Sequence, residues 1–163
     1  MEHKLGPDMC VPCGDGILNI RVGAIILRDG KILMVRNRRA GYCYSVGGRI
    51  KLGETAQDAV VREVLEETGV RLSVDRLGFV HETYFYGDGD TNLGKTIYEI
   101  AFYFYMNVPD AFEPVCGSVT TDGIEEELVW IDPHGDTRFF PAFFRTALDR
   151  PVPGVLHFTD DDR

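Results

Sequence analysis

The 163-residue chain has no apolar run approaching the roughly eighteen residues that a membrane-spanning helix needs. Its opening, MEHKLGPDMC, has neither the basic patch nor the apolar stretch of a secretory leader, so the expected location is cytoplasmic. Positive charge is scarce as well: 17 Lys and Arg face 26 Asp and Glu, a net charge of −9. No broad positive field is therefore available to gather long nucleic acid or an anionic membrane. Cysteine is sparse, and Cys10, Cys13, Cys43 and Cys116 are too scattered for a disulfide scaffold. The pair Cys10-Val-Pro-Cys13 lacks the second close pair of a zinc ribbon and the following helix of a thioredoxin-like site.

The hydrophobic content, 44%, is enough to fill one core. A single domain over residues 1–163 is expected, with 1–16 as an N-terminal extension and 158–163 as a frayed acidic tail. Leu18 to Leu27 reads as a strand, and Asp29-Gly30 turns it back into Lys31 to Arg36 as a hairpin. Tyr44 to Val46 is a short extended piece that Gly47-Gly48 interrupts. Thr55 and Asp58 have capping-box spacing, and Gly69 follows Thr68 as a helix stop, so the spacing predicts a helix over Thr55 to Thr68. Leu77 to Tyr86 and Thr96 to Val108 predict a long hairpin, Leu128 to Ile131 a further strand, and Pro141 to Leu148 a short helix. Strands around an early helix predict an α/β fold: a mixed sheet with helices on its faces.

The helix over Thr55 to Thr68 carries the chemistry. At about 100° per residue, Glu63, Glu66 and Glu67 fall in one stripe, which Ala56, Ala59 and Val60 continue toward the N-terminus. A solvated charged face is polar along its whole length, and this one is not. Carboxylates turned toward the protein repel one another and take up protons unless a cation compensates them. Hard oxygen donors favour Mg²⁺, with Mn²⁺ as a substitute, and such ions share their remaining positions with phosphates. The implied partner is a small phosphorylated molecule. Arg62, one turn before Glu66, can brace that carboxylate, and Glu54 can orient a carboxylate or water at the helix start. Gly47 and Gly48 leave the backbone uncovered, making the Gly47 carbonyl a candidate metal ligand.

Gly48, Glu54, Arg62, Glu63, Val64, Glu66, Glu67, Gly69 and Val70 match every specified position of the Nudix hydrolase signature, which this segment resembles. At about 7% usage per residue type, chance supplies such a match roughly once in a billion positions. The resemblance, MutT-like in character, implies an α/β/α sandwich and hydrolysis of nucleoside diphosphates linked to another moiety. It also implies that Glu63, Glu66 and Glu67 hold the metals, with support from Arg62, Glu54 and the Gly47 carbonyl. Val46 departs from the proline that many members place before the two glycines, which removes a rigid turn residue but no ligand. A further glutamate often completes such sites; Glu99, Glu125, Glu126 and Glu127 are the candidates, and Glu126 represents the favoured cluster.

Arg36 and Arg38 precede the glycine loop and are candidate phosphate contacts, while Tyr84 and Tyr86 are candidates for stacking on a base. Asp88, Asp90, Asn92 and Glu99 mimic a calcium loop, but Leu93 stands where glycine is required, so a plain hairpin loop is expected. Homodimerisation through the aromatic strands stays open. Two other functions compete with hydrolysis. One is a catalytically silent nucleotide-sensing module; the other is a same-fold isomerase of a prenyl diphosphate, which would need a cysteine and glutamate pair, with Cys43 or Cys116 as the thiol.

Overall fold

A computed structural model describes residues 4–39, 41–89, 91–115 and 126–163. In chain order its elements are β1 (Cys10–Cys13), β2 (Gly16–Ile25), β3 (Leu27–Arg28), β4 (Lys31–Asn37), β5 (Tyr42–Ser45) and β6 (Gly47–Arg49). Helix α1 (Ala56–Thr68) follows, then β7 (Ser73–Tyr86), β8 (Thr96–Asn107), β9 (Glu126–Ile131), β10 (Phe139–Phe140), α2 (Phe144–Ala147) and β11 (Leu156–Asp161).

The strands form two sheets. In the first, the order is β1-β2-β8-β7-β11, with β6 pairing β2 beyond β1; in the second it is β10-β5-β4-β3, with β9 on the other edge of β4. Alternation along the strands sends side chains to opposite faces. Leu33, Val35, Phe104 and Met106 join Ala59, Val60 and Val64 of α1 in one core, while Ile32, Met34, Tyr103 and Tyr105 join Phe144 of α2 in the other. One helix covers each face, which is the layering expected from the sequence.

The long hairpin of β7 and β8 forms as expected, with shifts of register near Val74 and Leu77. The first hairpin is shorter than the sequence suggests. Only β3 pairs β4 across Asp29-Gly30, because the chain leaves the first sheet at Ile26, and β2 pairs β8 in parallel instead. Val46 makes the reverse crossing: β5 lies on β4, and β6 lies on β2. Gly47 and Gly48 thus belong to a paired strand and do not simply break one. The second helix is confined to Phe144–Ala147, short of the expected span from Pro141 to Leu148.

Both ends of the described chain depart from expectation. The N-terminal segment supplies β1, and the Gly6 and Met9 amides donate to the Leu52 and Ile50 carbonyls at 2.7 Å, tying it to the loop before α1. Residues 158–163 are not a frayed tail; β11 runs parallel to β7 through Asp161. Acidic residues are compatible with a strand here because alternation lets them face outward or find partners. Phe158 stacks on Phe143 at 4.3 Å, and His81 Nε2 lies 2.8 Å from Asp160 Oδ2. Among the described residues no helix is long and apolar enough to cross a membrane. Phe158→Ala is expected to cost about 1–3 kcal/mol of unfolding free energy in a urea titration. An unchanged midpoint would contradict the packing of β11.

Candidate active site

Helix α1 begins where the sequence placed it. Thr55 holds an extended backbone, its hydroxyl accepts from the Asp58 amide at 3.1 Å, and Gly69 closes the helix in the left-handed conformation. The buried side of α1 is Ala59, Val60, Val64 and Thr68. At about 100° per residue this side centres close to Glu67, with Glu63 at its margin and Glu66 about 125° away. Glu66 therefore turns to solvent, with 52% of its side chain exposed, against 13% for Glu63. The expectation that all three carboxylates face inward holds for Glu63 and Glu67 only.

Arg62 is the hub of this surface. Its Nε and Nη2 donate to the two oxygens of Glu54 at 3.0 and 2.7 Å, a bidentate pair, and Nη2 also donates to the Arg49 carbonyl at 3.1 Å. Nη1 donates to Glu63 at 2.7 Å and to Glu66 at 3.1 Å. The hydrogen bonds to Glu54 above all raise the Arg62 pKa, so the guanidinium stays charged. Burial of Glu54 pushes its pKa up, but the Arg62 bonds and the Lys51 amide, at 2.8 Å, bring it below the usual value. Glu54 therefore anchors Arg62, and Arg62 anchors Glu63. The sequence expectation had Arg62 bracing Glu66; the structure gives it Glu54 and Glu63 as well.

The two glycines explain how the carboxylates reach the backbone. A Cβ on Gly48 would lie 2.5 Å from the Glu63 carboxylate carbon and both its oxygens, so Glu63 rests directly on this residue. Gly47, at φ 149°, has Val22 O only 2.2 Å from where a Cβ would stand, and its amide donates to Glu67 Oε2 at 3.3 Å. Burial pushes the Glu67 pKa up to about 8, helped by the neighbouring charges of Glu63 and Glu126 and opposed by the Gly47 amide. Burial raises Glu63 too, against the pull of Arg62. Tyr44 donates its hydroxyl to Glu126, and burial followed by that bond raises the Tyr44 pKa.

The donor set suits a hard divalent cation. Two half-buried carboxylates, Glu63 and Glu67, repel each other, a third, Glu126, adds to the repulsion, and one proton relieves what a cation would relieve better. Among the described residues no three His, Cys, Asp or Glu side chains converge closely enough to enclose an ion unaided.

Comparison with known proteins agrees with this geometry. The family model described as NUDIX domain matches residues 18–142. A Bacillus subtilis protein described as an uncharacterized Nudix hydrolase, YvcI, is 35% identical over 108 residues, covering 66% of this chain and 62% of its own. The NAD-capped RNA hydrolase NudC of Pasteurella multocida is 30% identical over 142 residues, covering 78% of this chain and 50% of its own. In each case the chain spans less than two thirds of the relative's length. The crystal structure of a MutT NUDIX hydrolase from Burkholderia pseudomallei superposes with a TM-score of 0.56 at 25% identity, covering 83% of this chain and 98% of that one. This chain belongs to the MutT-like Nudix hydrolase family.

The other candidate residues lie outside this Nudix helix, most of them on strands. Arg36 and Arg38 point to Glu127, at 3.7 and 3.8 Å, beside a cavity of about 370 Å³ that Tyr42 and Thr137 also line. Tyr84 stacks on Tyr98 at 4.6 Å under Arg163, and Tyr86 is exposed. Glu99 accepts from the Asn19 side-chain amide at 2.7 Å, and Glu127 takes the arginines, which leaves Glu126 as the described candidate facing Glu67. Glu125, Cys116 and Asp90 lie outside the described residues. Sequence reasoning did not single out Tyr44, whose hydroxyl holds Glu126, or Arg21, whose charge lies near Glu99, Glu67 and Glu63. The signal for Arg21 was available: it is the one charge inside the apolar run from Leu18 to Ile26.

Without divalent ions the folded chain keeps on Glu67 a proton that the unfolded chain gives up near 4.5. Stability of the metal-free protein therefore declines as pH rises from about 4.5 to about 8. Glu67→Gln is neutral throughout, so in EDTA at about pH 8.5 it is expected to melt above the wild type, with the gap closing near pH 5. Equal melting temperatures at the higher pH would contradict a buried, charged Glu67.

Proposed function

We propose that this Nudix chain catalyses metal-dependent hydrolysis of a diphosphate linkage in a nucleoside diphosphate joined to another moiety, with Mg²⁺ as cofactor and Mn²⁺ as a substitute. The observation that carries the reading is the pair Glu63 and Glu67, held against the Gly47-Gly48 backbone, with Glu67 buried enough, and close enough to Glu63, to retain a proton. Such a pair costs stability in the absence of a cation and serves no packing purpose. Glu63, Glu67, Glu66 from the outer side and the Gly47 carbonyl are the groups that would hold the ions. When bound, divalent ions supply neutralisation of the diphosphate charge and activation of water.

The remaining steps belong to the chain itself. Arg62 fixes Glu54 and Glu63 through charge-assisted bonds, so these groups need no reorganisation during the reaction. Glu126, held by the Tyr44 hydroxyl and within the field of Glu67, is positioned to take the proton of the attacking water. Water attacks phosphorus in line, the bridging P–O bond breaks, and two phosphorylated products leave. A net charge of −9 favours small free nucleotides over long nucleic acid, although one relative is named for hydrolysis of NAD-capped RNA. The isomerase alternative finds no support in Cys43, which is buried in the core that Phe144 of α2 covers. The sensing alternative leaves the inward pair Glu63 and Glu67 without a purpose.

The test is a screen of phosphate and nucleotide release with Mg²⁺ across nucleoside triphosphates, sugar nucleotides, ADP-ribose and dinucleoside polyphosphates. At least one compound is expected to turn over. Glu67→Gln, folded normally, is expected to lose activity on it by at least about a hundredfold. Wild-type turnover in that variant would refute the assignment.

A further inference from the structure

The arginines that knit this fold are visibly engaged. Arg62 is bidentate on Glu54, Arg145 donates to the carbonyls of Pro133, Gly135 and Thr137, Arg28 donates to those of Pro109 and Phe112, and Arg49 reaches Asn19 and Asp8. Arg21 differs. It stands in β2 at the middle of the first sheet, opposite Arg49 of β6 and Ala101 of β8, and its side chain is only partly exposed. Among the described residues its guanidinium has no hydrogen bond and no ion pair.

Its surroundings are nonetheless charged. Burial works against the guanidinium, and Glu99, Tyr103, Glu67 and Glu63 together more than offset it, so its pKa is raised. The same cation is felt by the hydroxyls of Tyr42 and Tyr44 on β5. Gly23, two residues along β2 and so on the same face, shows what packs over this face. A Cβ there would lie 2.4 Å from the Tyr103 ring and 2.9 Å from Ser45 Oγ, which places β5 and β8 side chains directly over β2. Arg21 thus lies where groups of both sheets and of α1 meet.

A structural counterion closes an ion pair, as Arg62 does; a half-buried guanidinium left without one is costly. The field of the carboxylates offsets that cost while they are unoccupied. Once cations sit on Glu63 and Glu67, their part of this compensation is withdrawn while that of Glu99 stays, and an anionic group would restore it. We propose that Arg21 is a substrate-binding residue that takes a phosphoryl oxygen of the diphosphate beside Glu63 and Glu67. The assignment rests on the diphosphate reading above. A guanidinium fork matches two phosphoryl oxygens, whereas an ammonium supplies a point charge.

Titration calorimetry with α,β-methylene-ADP and with methylenediphosphonate, in excess Mg²⁺, tests this on the wild type, Arg21→Gln and Arg21→Lys. Arg21→Gln is expected to weaken both probes by about 10–100-fold and Arg21→Lys by less. Mn²⁺ titrated alone should bind both variants at least as well as the wild type, because removing a cation cannot weaken attraction to carboxylates. Equal probe affinity in Arg21→Gln overturns the inference, and so does a parallel loss of Mn²⁺ binding, which would make Arg21 a brace for Glu63 and Glu67. If Arg21→Gln fails to fold by circular dichroism, Arg21→Lys decides, and wild-type affinity there overturns the inference. A wild-type chain that binds neither probe contradicts the diphosphate reading, and the inference with it.

Discussion

Two carboxylates of like charge, Glu63 and Glu67, are pressed from one helix against a backbone that only glycine leaves uncovered. Much of the local structure follows from keeping them there. Gly48 makes room for Glu63, Gly47 offers its amide to Glu67, and Arg62 holds Glu63 from behind while Glu54 holds Arg62. The strand that carries the glycines is fixed to the first sheet by β2, and the crossing at Val46 brings Tyr44, with Glu126 on its hydroxyl, to the same place.

The repulsion between those carboxylates is a frustration that folding alone does not resolve. A protein selected for stability alone would replace one of them by an apolar or amide side chain. The pair persists here together with a cluster of supporting bonds that specify its position, which is the arrangement expected where strain serves function. Charge balance at this site is therefore a matter of what binds, and the engaged Arg62 and the unengaged Arg21 play opposite parts in it.

How much of this was legible in the sequence varied with the range of the interactions. Helix α1, its cap at Thr55, its stop at Gly69 and the β7–β8 hairpin are encoded by local spacing, and the structure has them where the residues put them. The outward turn of Glu66 was hidden because helical periodicity gives the angle between residues and not the centre of the buried face, which tertiary packing on Val60 and Val64 decides. The sheet crossings at Ile26 and Val46 leave no local signature, since an extended residue reads alike within a strand or between two. The C-terminal strand was masked by its acidic composition, although His81 and Phe143 wait for it from distant parts of the chain. Arg21 was in plain view as a charge in an apolar run, but its charged neighbours come from β8 and α1.

In the proposed function divalent ions settle between Glu63 and Glu67 at the Gly47-Gly48 backbone. Titrating substoichiometric Mn²⁺ into the ¹⁵N-labelled protein and following paramagnetic broadening of amide resonances tests it most directly. The account predicts that Gly47, Gly48, Glu63 and Glu67 broaden first, ahead of the acidic C-terminal strand, and that Glu67→Gln abolishes the selectivity. First broadening at Asp160 to Asp162, or uniform broadening over the acidic surface, would contradict it.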